Sequence, residues 1–540
     1  MSAEAPRASW SLPYSSPLPA GTRGRIAARL LRVAAYAAAV AAIVVPMVIF
    51  QVGTVRRLRE AAAFDEAHPD WTPAKRRSEG LVRPGATKGA VGRWRRAVRQ
   101  FWDGRNIYEM VPADYSAVAT QPVSSVDCPA DYGLVFMHPN MPFTVMLLTP
   151  LAYVPVQAAG LSFNVLKALV LAAAVVMAAR LAGHRRRRIV DWIVALGLLW
   201  TILPVVGDVR HGNTNVFVLG AVVLHLWLFR RGFSAAAGLP LALAVCLKMT
   251  PALFLLYWLY QRNWKLLAGA VIGLCLFGVI VPAAAVGPAR YATLTRTWCD
   301  NMIRPGLVEG GWYPEHINQS LSGVAGRYFL AGRNGDIYWG PDDDPHYQTT
   351  RHGWITLAAL PEGAVRWIVR AGRLAIVAMM LWSIGWRRLA CDDGRRALHY
   401  AMVLLAMMVL NQRTWNHHAA VLLPAGVAIW QAIGYGRFGR GLRATALGLV
   451  VAGGLASWLL RSDLIEALAR AAGQTQAAAE TCADTVKAYG PMFYYFLLLF
   501  VAAAILAAAL KRAREPYAET RQKLGVGHES QAMGPGRGGA

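Results

Sequence analysis

Apolar positions in this chain come in blocks of about 15–22 residues, separated by Arg, Gly, Pro and Trp, the lengths expected of helices that cross hydrocarbon. The first block, about 31–52, follows Arg23, Arg25, Arg29 and Arg32. It is too long for a signal-peptide core and lacks a convincing cleavage site, so it reads as an uncleaved helix with a cytoplasmic N-terminus. Eleven further spans are predicted near 160–183, 189–206, 214–230, 233–247, 250–262, 264–286, 364–386, 397–411, 417–434, 442–460 and 490–511. The block "PFTVMLLTPLAYVPVQ" (142–157) carries two internal prolines besides its leading one. It is expected to be interfacial or re-entrant, because a crossing there would put "HRRRR" outside.

"SAAAGLPLALAVCLKMTPALFLLYWLY" is one apolar stretch flanked on both sides by basic residues. Two short helices turning at Lys248–Pro251 keep both flanks cytoplasmic; a single kinked helix with a snorkelling Lys248 is the alternative. The fold class is therefore all-α, a polytopic membrane protein of about twelve helices. Its expected organisation is a cytoplasmic tail (1–30), a transmembrane domain (31–511) and a disordered cytoplasmic tail (512–540). Outer loops are expected at 53–141, 207–215, 287–363, 411–416 and 461–489.

Composition agrees with this pattern. Hydrophobic residues make up 56% of the chain and the mean hydropathy is +0.34. The net charge of +26 would suit nucleic acid, but the basic residues cap apolar runs ("RGRIAARLLR", "HRRRR", "LFRRGF", "WRRLACDDGRR", "GRFGRGLR", "KRARE"). Such clusters mark cytoplasmic turns and attract anionic lipid, so the expected partner is the membrane and not nucleic acid. The six cysteines stand singly, with no CxxC and no zinc spacing. Cys128, Cys299 and Cys482 fall in segments read as external, where they either pair or stay as small unpaired side chains.

No P-loop, no nucleotide-binding GxGxxG and no HExxH is present. The chemistry-bearing residues lie in the external segments instead. "GDVRHGNTN" (207–215) offers Asp208, Arg210, His211, Asn213 and Asn215 at the head of a helix, where free N–H groups attract anions. "GWYPEHINQSLSGVAGRYF" (311–329) offers Glu315, His316, Asn318, Gln319, Ser320 and Arg327, with Trp312 and Tyr313 as stacking surfaces. "NQRTWNHH" (411–418) adds Arg413, Asn416, His417 and His418, although adjacent histidines on a helix point to different sides. Arg366, Arg370 and Arg373 form one helical stripe that either serves the site or snorkels to headgroups. Asn318-Gln-Ser320 is a glycosylation sequon by its letters, and "PDDDP" (341–345) is either a cation site or a solvated acidic turn.

"GNTNVFVLG", "ALAVCLKMTPALFLLYWLYQRNWK", "NQSLSG…R" and "WNHHAAVLLPA", in this order, resemble the polyprenol-phosphate-mannose-dependent mannosyltransferases of glycosyltransferase family 87, in the GT-C membrane superfamily. The resemblance runs from about residue 100 to 434. It implies a multi-pass enzyme of the cell (inner) membrane with its active site on the extracytoplasmic face. Such an enzyme moves a sugar, mannose by the family's habit, from a polyprenyl-phosphate donor to a lipid or glycan acceptor with inversion. It implies no organic cofactor and leaves a divalent metal requirement open. A carboxylate of the first outer loop is the family's base on the acceptor hydroxyl. In "WRRAVRQFWDGRNIYEM" the matching choice is Asp103, followed by Glu315, then Asp131 and Glu109. Lys248, Arg210, His211, Asn213, Asn215, His316, Asn318, Gln319, Arg327, Arg413, Asn416, His417 and His418 are the expected donor-binding set. Asn416 stands where the family usually has Asp, and "MHPNMPF" replaces its Tyr-Pro-Pro text, which marks a divergent member. The competing functions are a transporter or flippase for a lipid-linked or anionic solute, an O-antigen ligase or polymerase, and an inactive scaffold.

Overall fold

Hydrocarbon offers the backbone no hydrogen bonds, so an apolar block must satisfy its own N–H and C=O groups. All twelve predicted segments do so as helix. They are seen in a computed structural model that describes residues 22–70, 90–112, 134–136, 140–182, 191–308, 316–330, 336–337, 350–351, 355–436 and 438–512. Helix α1 (Thr22–Ala67) runs for 46 residues, so the expected loop 53–141 begins as helix. An Arg56–Glu60 pair one turn apart supports that polar extension.

Helix α2 (Ala90–Trp102) buries Val91, Trp94, Val98 and Phe101, the apolar face of an amphipathic helix. It lies across α3 (Pro142–Leu147) and α4 (Thr149–Tyr153), which hold 6 and 5 residues. A crossing needs roughly 20 residues, so this segment is broken rather than spanning, as its prolines predict. Pro155 has no N–H for the Leu151 carbonyl; Arg95 of α2 supplies the donor, and it also bonds Val154 O at 2.7 Å. Arg99 bonds Ala152 O at 3.0 Å. The sequence thus breaks a helix and repairs its orphaned carbonyls with arginines from the neighbouring one.

The bundle continues through α5 (Val156–Ala182), α6 (Asp191–His211), α7 (Asn215–Arg230) and α8 (Ser234–Leu247). Helix α8 stops at Lys248, whose φ of −162° and ψ of 128° are extended. A 3₁₀ turn (Thr250–Ala252) and α9 (Leu253–Tyr260) then return the chain. The stretch is therefore two short helices, not one kinked one. Helix α10 (Trp264–Cys275) passes through a π turn into α11 (Val281–Val286) and α12 (Pro288–Trp298). Helices α8 and α10 touch backbone to backbone: a Cβ on Gly269 would lie 2.0 Å from Ala235 O.

After α13 (Leu321–Phe329) come α14 (Glu362–Ile384), α15 (Arg395–Leu410) and α16 (Leu423–Tyr435), the last preceded by a 3₁₀ helix, Asn416–Leu422. Then follow α17 (Arg440–Leu459), α18 (Ser462–Ala471), α19 (Gln476–Ala488) and α20 (Pro491–Arg512). Every residue from Arg396 to Val409 is buried, so α15 is the central post, wrapped on all sides. Among the described residues two short antiparallel ribbons, Met110–Pro112 with Leu134–Phe136 and Asp336–Ile337 with Thr350–Arg351, interrupt the all-α pattern.

Among the described residues seven helices are long and apolar enough to cross a membrane, and three shorter apolar helices accompany them. Helicity of all twelve segments is thus observed, while length alone fixes seven crossings rather than twelve. Among the described residues the basic turns that carry Arg230, Arg262 and Arg388 gather at one end, where Arg230 bonds Leu181 O, Arg262 bonds Trp386 O and Arg388 bonds Asn263. The segments 207–215, 316–327 and 411–418 meet at the other end. Cys299 and Cys482 are free thiols; Cys128 lies outside the described residues.

Candidate active site

The polar end is assembled from the C-terminus of α6, the Lys248 break, the 411–418 turn and the start of α2. Asp208, in the last turn of α6, is fully buried and binds Lys167 of α5, Nζ to Oδ2, at 2.9 Å. Lys167 also bonds the Asp208 carbonyl at 3.0 Å and lies over the Phe163 ring at 4.7 Å. Asp208 Oδ1 accepts from Asn215 twice, from its backbone N at 3.1 Å and its Nδ2 at 2.8 Å. The Asn215 amide is thereby oriented with Oδ1 outward, and Lys248 Nζ donates to it at 2.7 Å. A chain Lys167–Asp208–Asn215–Lys248 results, buried as far as Asn215 and half-buried at Lys248.

Gly212 lets the α6–α7 turn reverse at a φ of +71°, and its carbonyl accepts from Trp94 Nε1 of α2 at 3.0 Å. The start of α2 is thus fastened to "GDVRHGNTN". The rings of His211 and His417 approach to 5.7 Å, and those of His417 and His418 to 4.8 Å, edge-on. His418 stacks on Trp415 at 5.8 Å, and Arg413 lies over the same indole at 5.9 Å. The two histidines were expected on different sides of an α-helix. They instead sit in a 3₁₀ helix, clamped by Trp415, and both are half-buried in one cluster. Lys248, His211, Lys167 and Arg93 are all near enough for their charges to act on His417.

The remaining predicted residues divide by what their side chains hold. Asn318 donates to Gln412 O at 2.9 Å and accepts from the N–H groups of Ser320 and Thr414 at 3.1 and 3.0 Å. Gln319 bonds His316 O and Lys487 O and accepts from Met492 N. Arg327 bonds Ala488 O and Asn318 O. These three therefore brace the 411–415 turn against α13 and α19. Asn318 is 0% exposed, which excludes the sequon from glycosylation in the folded chain. Replacing Asn318 with Ala would orphan several buried backbone groups, each costing about 1–3 kcal/mol. A melting temperature several degrees below wild type, measured on the solubilised protein, is the expected result.

His316 is buried 3.1 Å from Asp484, and burial pushes its pKa down to about 4 against the opposing pull of that carboxylate. Near neutral pH it is uncharged and adds nothing to the cationic cluster. Arg210 and Asn416 are exposed, and Asn213 is half-buried. Of the arginine stripe, Arg366 pairs with Glu362 and Arg370 lies over Trp367, while Arg373 alone reaches the turn, bonding Gln412 at 2.7 Å.

Asp103 is exposed at the far end of α2, ten residues from Arg93 and so roughly 15 Å along the helix axis. Glu109 is exposed and accepts from Asn106 at 3.2 Å. Glu315, Asp131, Trp312, Tyr313 and the "PDDDP" turn lie outside the described residues. No group of three or more His, Cys, Asp or Glu side chains among the described residues has the arrangement of a metal site. The residue missed from the sequence is Lys167. Its signal was a cation in the middle of the apolar run 156–179, which in a membrane segment points to function.

The family model for glycosyltransferase family 87 matches residues 138–410. The polyprenol-phosphate-mannose-dependent alpha-(1-2)-phosphatidylinositol mannoside mannosyltransferase of Mycobacterium tuberculosis is 26% identical over 322 residues, 55% of this chain. The chain spans 64% of the length of that relative. The crystal structure of ArnT from Cupriavidus metallidurans bound to undecaprenyl phosphate aligns at 13% identity with a TM-score of 0.29, over 81% of this chain and 76% of that one.

Proposed function

The chain belongs to glycosyltransferase family 87, and from that premise we propose that it transfers a sugar, mannose, from a polyprenyl-phosphate donor to a lipid or glycan acceptor on the extracytoplasmic face. The observation that carries this reading is the convergence of Lys248, His211, His417 and His418, from distant parts of the chain, at the end opposite the basic turns. A phosphate leaving group gains negative charge as its bond to the anomeric carbon breaks, and such a cluster meets that charge. The acceptor oxygen attacks the anomeric carbon from the opposite side, inverting it, while a carboxylate takes the hydroxyl proton and polyprenyl phosphate leaves with the bonding pair. The donor's lipid stays in the bilayer, so no soluble nucleotide site is needed. Asp103 and Glu315 are the two proposed bases. The mycobacterial relative's dependence on polyprenol-phosphate-mannose supports the donor class.

The test supplies membranes with radiolabelled polyprenyl-phosphate-mannose and candidate lipid acceptors, comparing wild type with Asp103→Asn and Glu315→Gln. A labelled glycoside from the wild type, and its loss by roughly 10²–10⁴-fold in one of the two variants, is expected. Offering the acceptor separately to inside-out and right-side-out vesicles reads the face. Uptake of an intact solute with no glycosidic product would replace this function with transport.

A further inference from the structure

Lys167 and Asp208 are 1% and 0% exposed, and such a pair out of water contributes little net stability. Its presence is better explained by what Asp208 would otherwise do. The Asp208 carboxylate is close enough for its charge to act on Lys248, and it is joined to Lys248 through one amide. Left without Lys167, it would be the natural counter-ion of Lys248.

We propose that Lys167 is a positioning residue that takes up the charge of Asp208, so that Lys248 stays oriented by Asn215 and keeps its own charge for the phosphate of the donor. The assignment rests on the proposed donor but adds residues that never touch it. Each part of the geometry has a use. Lys167 lies 2.9 Å from Asp208 Oδ2, donates to Asp208 O and rests over the Phe163 face. Asp208 Oδ1 accepts from the Asn215 backbone N–H and from its Nδ2, which turns the amide oxygen toward Lys248. That oxygen is neutral, so it directs one Lys248 N–H without cancelling the charge. Two further N–H bonds of the ammonium remain to be directed elsewhere.

A purely structural ion pair and this arrangement differ in what a charge-balanced replacement does. Polyprenyl monophosphate carrying no sugar is titrated against purified protein in nanodiscs, for wild type, Lys167→Met and the double variant Lys167→Met/Asp208→Asn. A hydrogen bond from a charged group corresponds to roughly ten- to a hundredfold in affinity. Lys167→Met should weaken binding by that factor, because Asp208 turns its charge on Lys248. The double variant removes that carboxylate charge yet keeps an acceptor for Asn215, and should bind within about threefold of wild type. Donor KM in the transfer assay should follow the same order, with acceptor KM unchanged.

Equal binding by wild type and Lys167→Met would overturn the proposal. So would a double variant, folded by its melting profile, that binds no better than the single one. Should Lys167→Met fail to fold, the double variant still decides: wild-type binding supports the assignment, and a tenfold loss overturns it. Failure of the wild type itself to bind polyprenyl monophosphate would remove the proposed donor, a result distinct from all of these.

Discussion

Lys248→Met will lower transfer from the polyprenyl-phosphate donor by roughly a hundred- to a thousandfold, the loss expected when one preorganised partner of a developing negative charge is removed. The substitution isolates the ammonium. Methionine keeps most of the lysine stem, so packing at the α8 break changes little. The extended backbone there is set by Pro251, which cannot continue the helix, rather than by the side chain. Asn215 loses one hydrogen bond but retains both of its bonds to Asp208. Lys248→Arg keeps the charge but changes its reach, and is expected between the two. The measurement is initial rate of labelled product at matched protein levels, with a melting curve to confirm the fold. Wild-type turnover in Lys248→Met would take the break at residue 248 out of the mechanism.

Much of the fold was legible because bilayer physics leaves few options. Run length, proline position and basic caps located the twelve apolar segments, and the prolines at 142, 150 and 155 marked the segment that breaks into α3 and α4; helices α2, α12, α13, α18 and α19 lie in stretches read as outer loops and were not located. The extension of α1 to Ala67 was not legible, because residues 53–67 mix charged and apolar side chains and carry no apolar run of spanning length. Nor was the 3₁₀ conformation of Asn416–Leu422. It depends on Trp415, which sets the turn through contacts to both histidine rings, and no local pattern reports that.

The site was legible as residue types gathered in a few segments, and much less so as roles. Asn318, Gln319 and Arg327 have the hydrogen-bonding groups of sugar ligands, yet their bonds go to backbone carbonyls and amides. A buried turn of irregular backbone needs such partners as much as a substrate does. Sequence shows the donor inventory but not where it is aimed. Lys167 failed in the opposite way: it was not singled out in the sequence at all, and only the position of Asp208 gives it a role.

The second large effect concerns the histidine pair, whose two rings are expected to respond differently. Nδ1 of His418 accepts from Trp415 N at 3.3 Å, so in the neutral ring the proton sits on Nε2 and forms a fixed donor. Asparagine places its amide oxygen near Nδ1, and glutamine places a donor near Nε2. If the Nε2–H of His418 holds the donor phosphate, His418→Asn keeps the turn and loses the contact. Turnover should then fall roughly a hundredfold with the melting temperature unchanged, while His418→Gln recovers part of the activity. His417 faces His211 instead and lies against α6, where a Cβ on Gly207 would sit 3.5 Å from its own Cβ. His417→Ala removes a ring that meets Trp415 and His418 through ring contacts and leaves the His418–Trp415 hydrogen bond in place, so activity should fall by a similar factor and membrane insertion should be normal. Should both His417→Ala and His418→Asn turn over at the wild-type rate, the 411–418 turn would be scaffold alone, and the phosphate would have to be held by Lys248 and the α6–α7 turn.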